Sequence, residues 1–271
     1  MKMPIGFRSQ DDTTKIPEQP IQVPKESNAG TPKMVLVQFP GCNIPLSYFC
    51  ESLDVHIGDL VFVEGKYEGK LGKVEKISTN FNVDLEEYKK VIGVADTHVV
   101  GSFKPLNGYF ISFDRNALPY KKARSWFLPP TNVDSFIDYD EPGFPLAEAG
   151  KWPTKSFEIM DRGHDYYMMD HVTYLSLDGD EGRAIVSGSK VYEVRFKCLD
   201  GMISNISCTC PCGFFCKHEV AVLLQLSDIL HWIEESGNSH YPDTRYFSII
   251  TVSALYRYAV KVERDNELIL R

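Results

Sequence analysis

No run of about 18 apolar residues occurs in the 271-residue chain, so no membrane-spanning helix is expected. The opening Met-Lys-Met-Pro-Ile-Gly-Phe-Arg lacks the apolar core of a secretory signal. The sequence also lacks a Walker phosphate loop, a dinucleotide glycine motif, a Gly-x-Ser-x-Gly elbow and any kinase signature. An enzyme reading is left with catalytic groups that carry no recognised motif. Excess positive charge is missing too: the formal net charge is -8. Residues 34–127 balance 11 basic against 11 acidic side chains, and residues 128–271 set 13 against 22. Nucleic-acid affinity comes largely from neutralising phosphates with Lys and Arg, so tight binding by the C-terminal half is disfavoured. Seven cysteines, an odd number with most of them clustered, argue against a disulfide framework and for a reducing cytoplasm.

What the chain does have is one dense stretch, Cys208-Thr-Cys210-Pro-Cys212-Gly-Phe-Phe-Cys216-Lys-His218. Cys208, Cys210, Cys216 and His218 are the side chains zinc prefers, three thiolates and an imidazole for a tetrahedron. Side chains repeat every two residues along a strand, so a Cys-x-Cys pair at a strand end puts both sulfurs on one face. Pro211 stops the strand and Gly213 turns it. Cys216-x-His218 returns the other two ligands as an apolar helix begins. Cys212 competes as a fifth candidate, but reaching the same face would require the strand to continue through Pro211. The expected cofactor is one structural Zn2+ held by Cys208, Cys210, Cys216 and His218.

Cys-x-Cys, a loop, Cys-x-His and an apolar helix resemble the SWIM zinc finger. Tyr192 to Phe196, the Asp200-Gly201 turn and Ile203 to Cys210 look like the strands that precede its ligands. Arg162-Gly163, Tyr167 and Val172 are similar to the entry into the domain in bacterial members. The resemblance spans about Ser156 to Leu226 and implies zinc binding with a protein- or nucleic-acid-interaction role.

The rest of the chain reads as α+β. Residues 1–32, interrupted by five prolines, are expected to be a disordered or extended tail. Residues 33–127 read as a β-rich domain, with strands at Met34–Phe39, Asp59–Val63, Lys73–Ile77, Val91–Phe103 and Gly108–Phe113 and a helical turn over Asp84–Lys90. Its glycine-led phrase from Gly58 to Glu75 resembles SH3-like barrels of the KOW type. The wider phrase from Phe39 resembles the N-terminal domain of primosomal helicases. Lys66, Lys70, Lys73 and Lys76, and Lys121, Lys122 and Arg124 beside Tyr120 and Trp126, suit single-stranded nucleic acid, although Glu64, Glu68 and Glu75 sit among the first group. Residues 128–155 form an acidic, proline-containing linker that packs through Phe136, Phe144 and Trp152.

Residues 156–236 form the zinc domain. Asp161 to His171 hold two histidines and several carboxylates in no metalloenzyme spacing, and read as surface turns. Strands follow at His171–Leu177, Arg183–Ser187, Val191–Lys197 and Met202–Thr209, with Asp178-Gly and Asp200-Gly as hairpin signals. The helix from Lys217 is apolar on most sides, so more than four strands must bury it. Residues 237–271 are an extension in which Tyr256–Val262 alternates like a strand and a helix from Ser253 competes. The expected function is a non-catalytic adaptor with a protein partner near DNA- or RNA-processing machinery. Direct nucleic-acid binding by the first domain and an unrecognised enzyme are the alternatives.

Overall fold

The computed structural model describes residues 30–82, 87–130, 142–237, 240–259 and 268–270. Nearly all of the expected N-terminal tail, Asp84 and Phe136 lie outside these residues.

The first sheet is antiparallel, in the order β2-β1-β4-β3-β5, where β1 is Lys33–Gln38, β2 Leu46–Cys50, β3 Leu60–Val63, β4 Gly72–Ser78 and β5 Val91–Val94. Alternate residues of β1 are buried, the period of two that puts Val35 and Val37 inward. The two edges meet: Phe49 N–H donates to the Lys89 carbonyl at 2.9 Å, and Phe49 bridges Lys90. The sheet thus curls around Val35, Val37, Val61, Val63 and Val74. Gly72 is required by this curl, since a Cβ there would lie 2.4 Å from Val37.

The second sheet has the order β14-β6-β7-β13-β9-β10-β11-β12-β8. Its strands are β6 (Gly101–Leu106), β7 (Tyr109–Ser112), β8 (Phe144–Pro145), β9 (Val172–Asp178), β10 (Glu181–Ser187), β11 (Val191–Leu199), β12 (Met202–Cys208), β13 (Tyr246–Thr251) and β14 (Leu268–Leu270). All neighbours are antiparallel except β14 and β6. The expected hairpin from β11 to β12 turns at Asp200-Gly201, both left-handed at φ 49° and 75°, as a type I′ turn requires.

Helices cover both faces of this sheet. On one face lie α2 (Phe157–Met168) and α3 (Lys217–Glu235), over Leu175, Leu177, Val194 and Phe196. On the other lie α1 (Tyr120–Arg124) and α5 (Val252–Tyr258), around Phe103, Leu118, Trp126 and Tyr174. A short α4 (His240–Thr244) precedes β13. Coverage on both sides explains why β13 is buried at every position and β9 at all but its last. The backbones of α2 and α3 approach closely at Gly163, where a Cβ would lie 2.4 Å from Val220.

The α+β class, the antiparallel sheets, the four strands before the cysteines and the helix after them agree with the sequence reading. Three differences stand out. Asp161 to Met168 are helical, capped at Ser156, whose hydroxyl accepts from the Ile159 N–H at 3.4 Å. In the extension, the competing helix forms as α5, preceded by β13. The sheets also divide between Val94 and Gly101, not at residue 127. β6 and β7 join the second sheet because β13 pairs with β7 on one side and β9 on the other. The linker's Phe144 and Trp152 are buried in the core over α3. No helix among the described residues is long and apolar enough to cross a membrane.

Candidate metal centre

Three elements deliver the donors. β12 ends at Cys208, which is half-buried, and the bend after it carries Cys210, where the N–H approaches the Cys208 sulfur at 3.4 Å. This end of the strand is pinned from β11: the Glu193 N–H donates to Thr209 Oγ1 at 2.9 Å and the Thr209 N–H donates to the Glu193 carbonyl at 3.0 Å. Cys216 is the N-cap of α3 in an extended conformation, and its N–H donates to the buried Glu219 carboxylate at 2.6 Å. That is a capping box with cysteine where serine or threonine is usual. His218 follows in the first turn.

The His218 ring is held by aromatic faces. Tyr192 of β11 stacks on it at 4.4 Å and 25°, and Tyr166 of α2 meets it edge-on at 5.4 Å. Lys217 Nζ fixes Tyr166 in turn, at 2.8 Å from its hydroxyl. Nδ1 of His218 consequently faces the sulfurs of Cys208 and Cys216 at 3.6 and 3.7 Å. Its Nε2 is buried without a hydrogen-bond partner. Stacking, rather than a bond from the far nitrogen, orients this imidazole.

Donor atoms of Cys208, Cys210, Cys216 and His218 all lie within 4.8 Å of one another. A zinc tetrahedron with sulfur at about 2.3 Å and nitrogen at about 2.0 Å has edges of about 3.5–3.8 Å, and the two sulfur–nitrogen separations fall in that interval. The electrostatics agree. The Cys216 thiol is pushed far up by its hydrogen bond with Cys208, by burial and by Glu219. Burial raises Cys210 to about 11 and lowers His218 to about 4. Three sulfurs this close do not ionise together without a cation, while the imidazole is already in its neutral, ligating form. All four cysteines in the stretch are free thiols. The cluster fits a structural zinc site.

The sequence-derived set is therefore brought together, and Cys212 is not part of it: its side chain is exposed and outside the cluster. Cys212→Ser is expected to leave zinc stoichiometry and melting temperature unchanged, as metal analysis and calorimetry would show. Loss of metal in that variant with retention in Cys210→Ser would shift the ligand set by one position. The supporting residues Tyr166, Tyr192 and Glu219 were not singled out from sequence. Of these, Glu219 has the capping-box spacing, three residues after Cys216 at the helix start. Arg162 and His171 lie near enough to His218 to lower its pKa, yet Asp161 to His171 bring no second cluster of metal-ligating groups together among the described residues.

Residues 200–227 match the SWIM zinc finger family. No curated protein and no solved structure is significantly similar to the chain.

Proposed function

We propose that this protein is a non-catalytic adaptor of the cytoplasm. On this reading, structural zinc holds an interaction surface that joins DNA- or RNA-processing machinery through protein contacts. The carrying observation is the closed donor set: four protein groups converge on one centre, which leaves no coordination position for water or substrate. Zinc there fixes the base of the loop, and the loop presents Phe214, 89% exposed, at its tip. Next to it Phe215 is anchored edge-to-face on Phe144 at 6.1 Å. A rigid loop with an exposed aromatic suits an apolar partner surface.

Charge supports the same reading. Arg195, a cation of the zinc half, has a side chain only 13% exposed and lies 3.7 Å from Glu181. It is poorly placed to meet a phosphate. A second reading, direct nucleic-acid binding by the first sheet, is favoured by one patch: the ammonium groups of Lys66 and Lys70 lie 5.6 and 5.9 Å from the Tyr67 ring. That ring stacks on Phe39.

Titration of the full-length protein with single- and double-stranded DNA and RNA across a salt series separates these readings. The adaptor reading expects dissociation constants weaker than about 10 μM at physiological salt, since few counterions are released. Retention of a protein partner from the native host should survive nuclease treatment. Submicromolar binding lost in Lys66→Glu/Lys70→Glu would establish the second reading. The same binding lost instead in Arg195→Ala/Lys197→Ala would make the finger itself the reader.

A further inference from the structure

A cavity of about 160 Å³ lies where the β6–β7 turn meets the end of α2 and the middle of α3. Its chemistry is independent of the zinc centre. Two lining residues are buried and polar. Tyr109 is 3% exposed, and its hydroxyl makes no hydrogen bond of good geometry although it lies beside the Asp170 carboxylate. Gln225 is also 3% exposed, and its side chain makes none among the described residues. Buried polar groups are ordinarily paired, so the Tyr109 hydroxyl holds spare bonding capacity at the cavity, and Gln225 adds an amide to its wall.

The rim carries the exposed Asp170 and Asp228, with the Tyr167 phenol beside Asp228. Neither carboxylate has an ion-pair partner among the described residues. Burial first, and then Asp170, raise the Tyr109 phenol well above its ordinary pKa, with Tyr167 and Asp228 adding in the same direction. No cation among the described residues offsets them. Of the remaining walls Leu106, Met168 and Ile229 are apolar, and Asn107 adds a further amide at the β6–β7 turn.

We infer that this cavity binds the protonated head of an alkylamine or guanidinium compound, with its methylene stem against the apolar walls. Two carboxylates, a phenol oxygen and an amide oxygen accept several N–H donors at once, the arrangement that an organic cation satisfies. Divalent metals need six or more oxygens at short range, and the two carboxylates fall in no metal-sized cluster of ligating side chains among the described residues. The cation's source is either a free amine or a Lys or Arg side chain of another protein.

Full-length protein would be titrated calorimetrically with n-butylammonium, Nα-acetyl-lysine amide and Nα-acetyl-arginine amide, with n-butanol, Ca2+ and Mg2+ as comparisons. Saturable one-to-one binding of the cations is expected, with butanol at least about tenfold weaker because its single uncharged O–H cannot serve two carboxylates at once. Asp170→Asn and Asp228→Asn should each weaken binding about tenfold, and Tyr109→Phe severalfold. Both aspartates are exposed, so their variants should melt as the parent does. Tighter binding of the acetylated amides than of butylammonium assigns the site to a partner's side chain, and equal binding assigns it to a free amine. Equal binding of butanol, binding undiminished in both aspartate variants, or saturation by Ca2+ or Mg2+ alone would overturn the assignment. So would the absence of any saturation up to about 100 mM cation.

Discussion

Cys216→Ser is expected to abolish stoichiometric zinc binding and to lower the melting temperature of the zinc-bearing sheet by more than about 10 °C. Structural zinc contributes on the order of 10–16 kcal/mol of apparent binding energy in finger peptides. A whole domain is stable by only about 5–15 kcal/mol. The variant separates ligation from capping. Serine is a better N-cap than cysteine, and the Glu219 bond is made to the backbone N–H, which the change leaves in place. Any loss therefore reports the missing sulfur. Metal analysis should give one zinc per parent chain and much less than one in the variant. Hydrogen exchange should show the loop before α3 and the helix's first turns opening, with β1–β5 protected as in the parent. A chelator should reproduce the effect in the parent and add nothing to the variant. Full zinc content with an unchanged melt would remove Cys216 from the ligand set.

Arg124→Met should be nearly as damaging, at a point remote from the metal. Arg124 on α1 donates through Nε to Glu193 Oε1 at 2.8 Å and through Nη2 to Oε2 at 3.2 Å. Its Nη1 holds the Pro129 carbonyl at 2.8 Å. The two side chains are only 17% and 14% exposed, and the Tyr120 hydroxyl also donates to Glu193. Removing the guanidinium leaves a carboxylate buried against one phenol. Breaking such a pair costs about 3–5 kcal/mol, or roughly 10 °C in a protein of this size. Arg124→Lys should recover little, because an ammonium cannot reproduce the fork. Arg124→Met combined with Glu193→Leu should recover much of the loss, since no unpaired charge remains. A shift below about 2 °C in the single variant, measured by calorimetry, would mean that Glu193 finds another partner or water. Glu193 is also the residue whose backbone grips Thr209 between two ligands, so the zinc stoichiometry of Arg124→Met is worth measuring alongside.

The parts of the fold that were legible in the sequence are those governed by local chemistry. Asp200-Gly201 specified its turn because both residues need left-handed backbone. Cys208-x-Cys210 and Cys216-x-His218 specified the donor set because strand period and helix onset fix where neighbouring side chains point. The apolar surface of α3 announced a larger burial than four strands give. What was missed depends on distant pairing. β13, Tyr246-Phe-Ser-Ile-Ile-Thr251, lacks a polar and apolar alternation, so nothing local told its two covered faces apart from those of a helix. The helix α2 was hidden by charged residues and by Gly163, a poor helix former whose small size is needed because Val220 and the Lys217 carbonyl sit opposite. Tyr166 and Tyr192 became supports of His218 only once α2 and β11 were brought beside α3. Which imidazole nitrogen faces the sulfurs was decided by those same rings.

The placement of β13 has a consequence for how the chain matures. It lies between β7 and β9 yet follows both in sequence by a long way, so the sheet cannot close until residue 251 has been made. While the chain is still emerging from the ribosome, β7 and β9 each present an unpaired hydrogen-bonding edge flanked by apolar side chains. Such edges are templates for pairing with other strands. The curled sheet of β1–β5 is complete earlier and has no such dependence. Synthesis should thus yield a folded leading unit tethered to an unfinished one, and the nascent chain is most exposed to misassembly and most suited to chaperone capture in the interval before its last strands arrive.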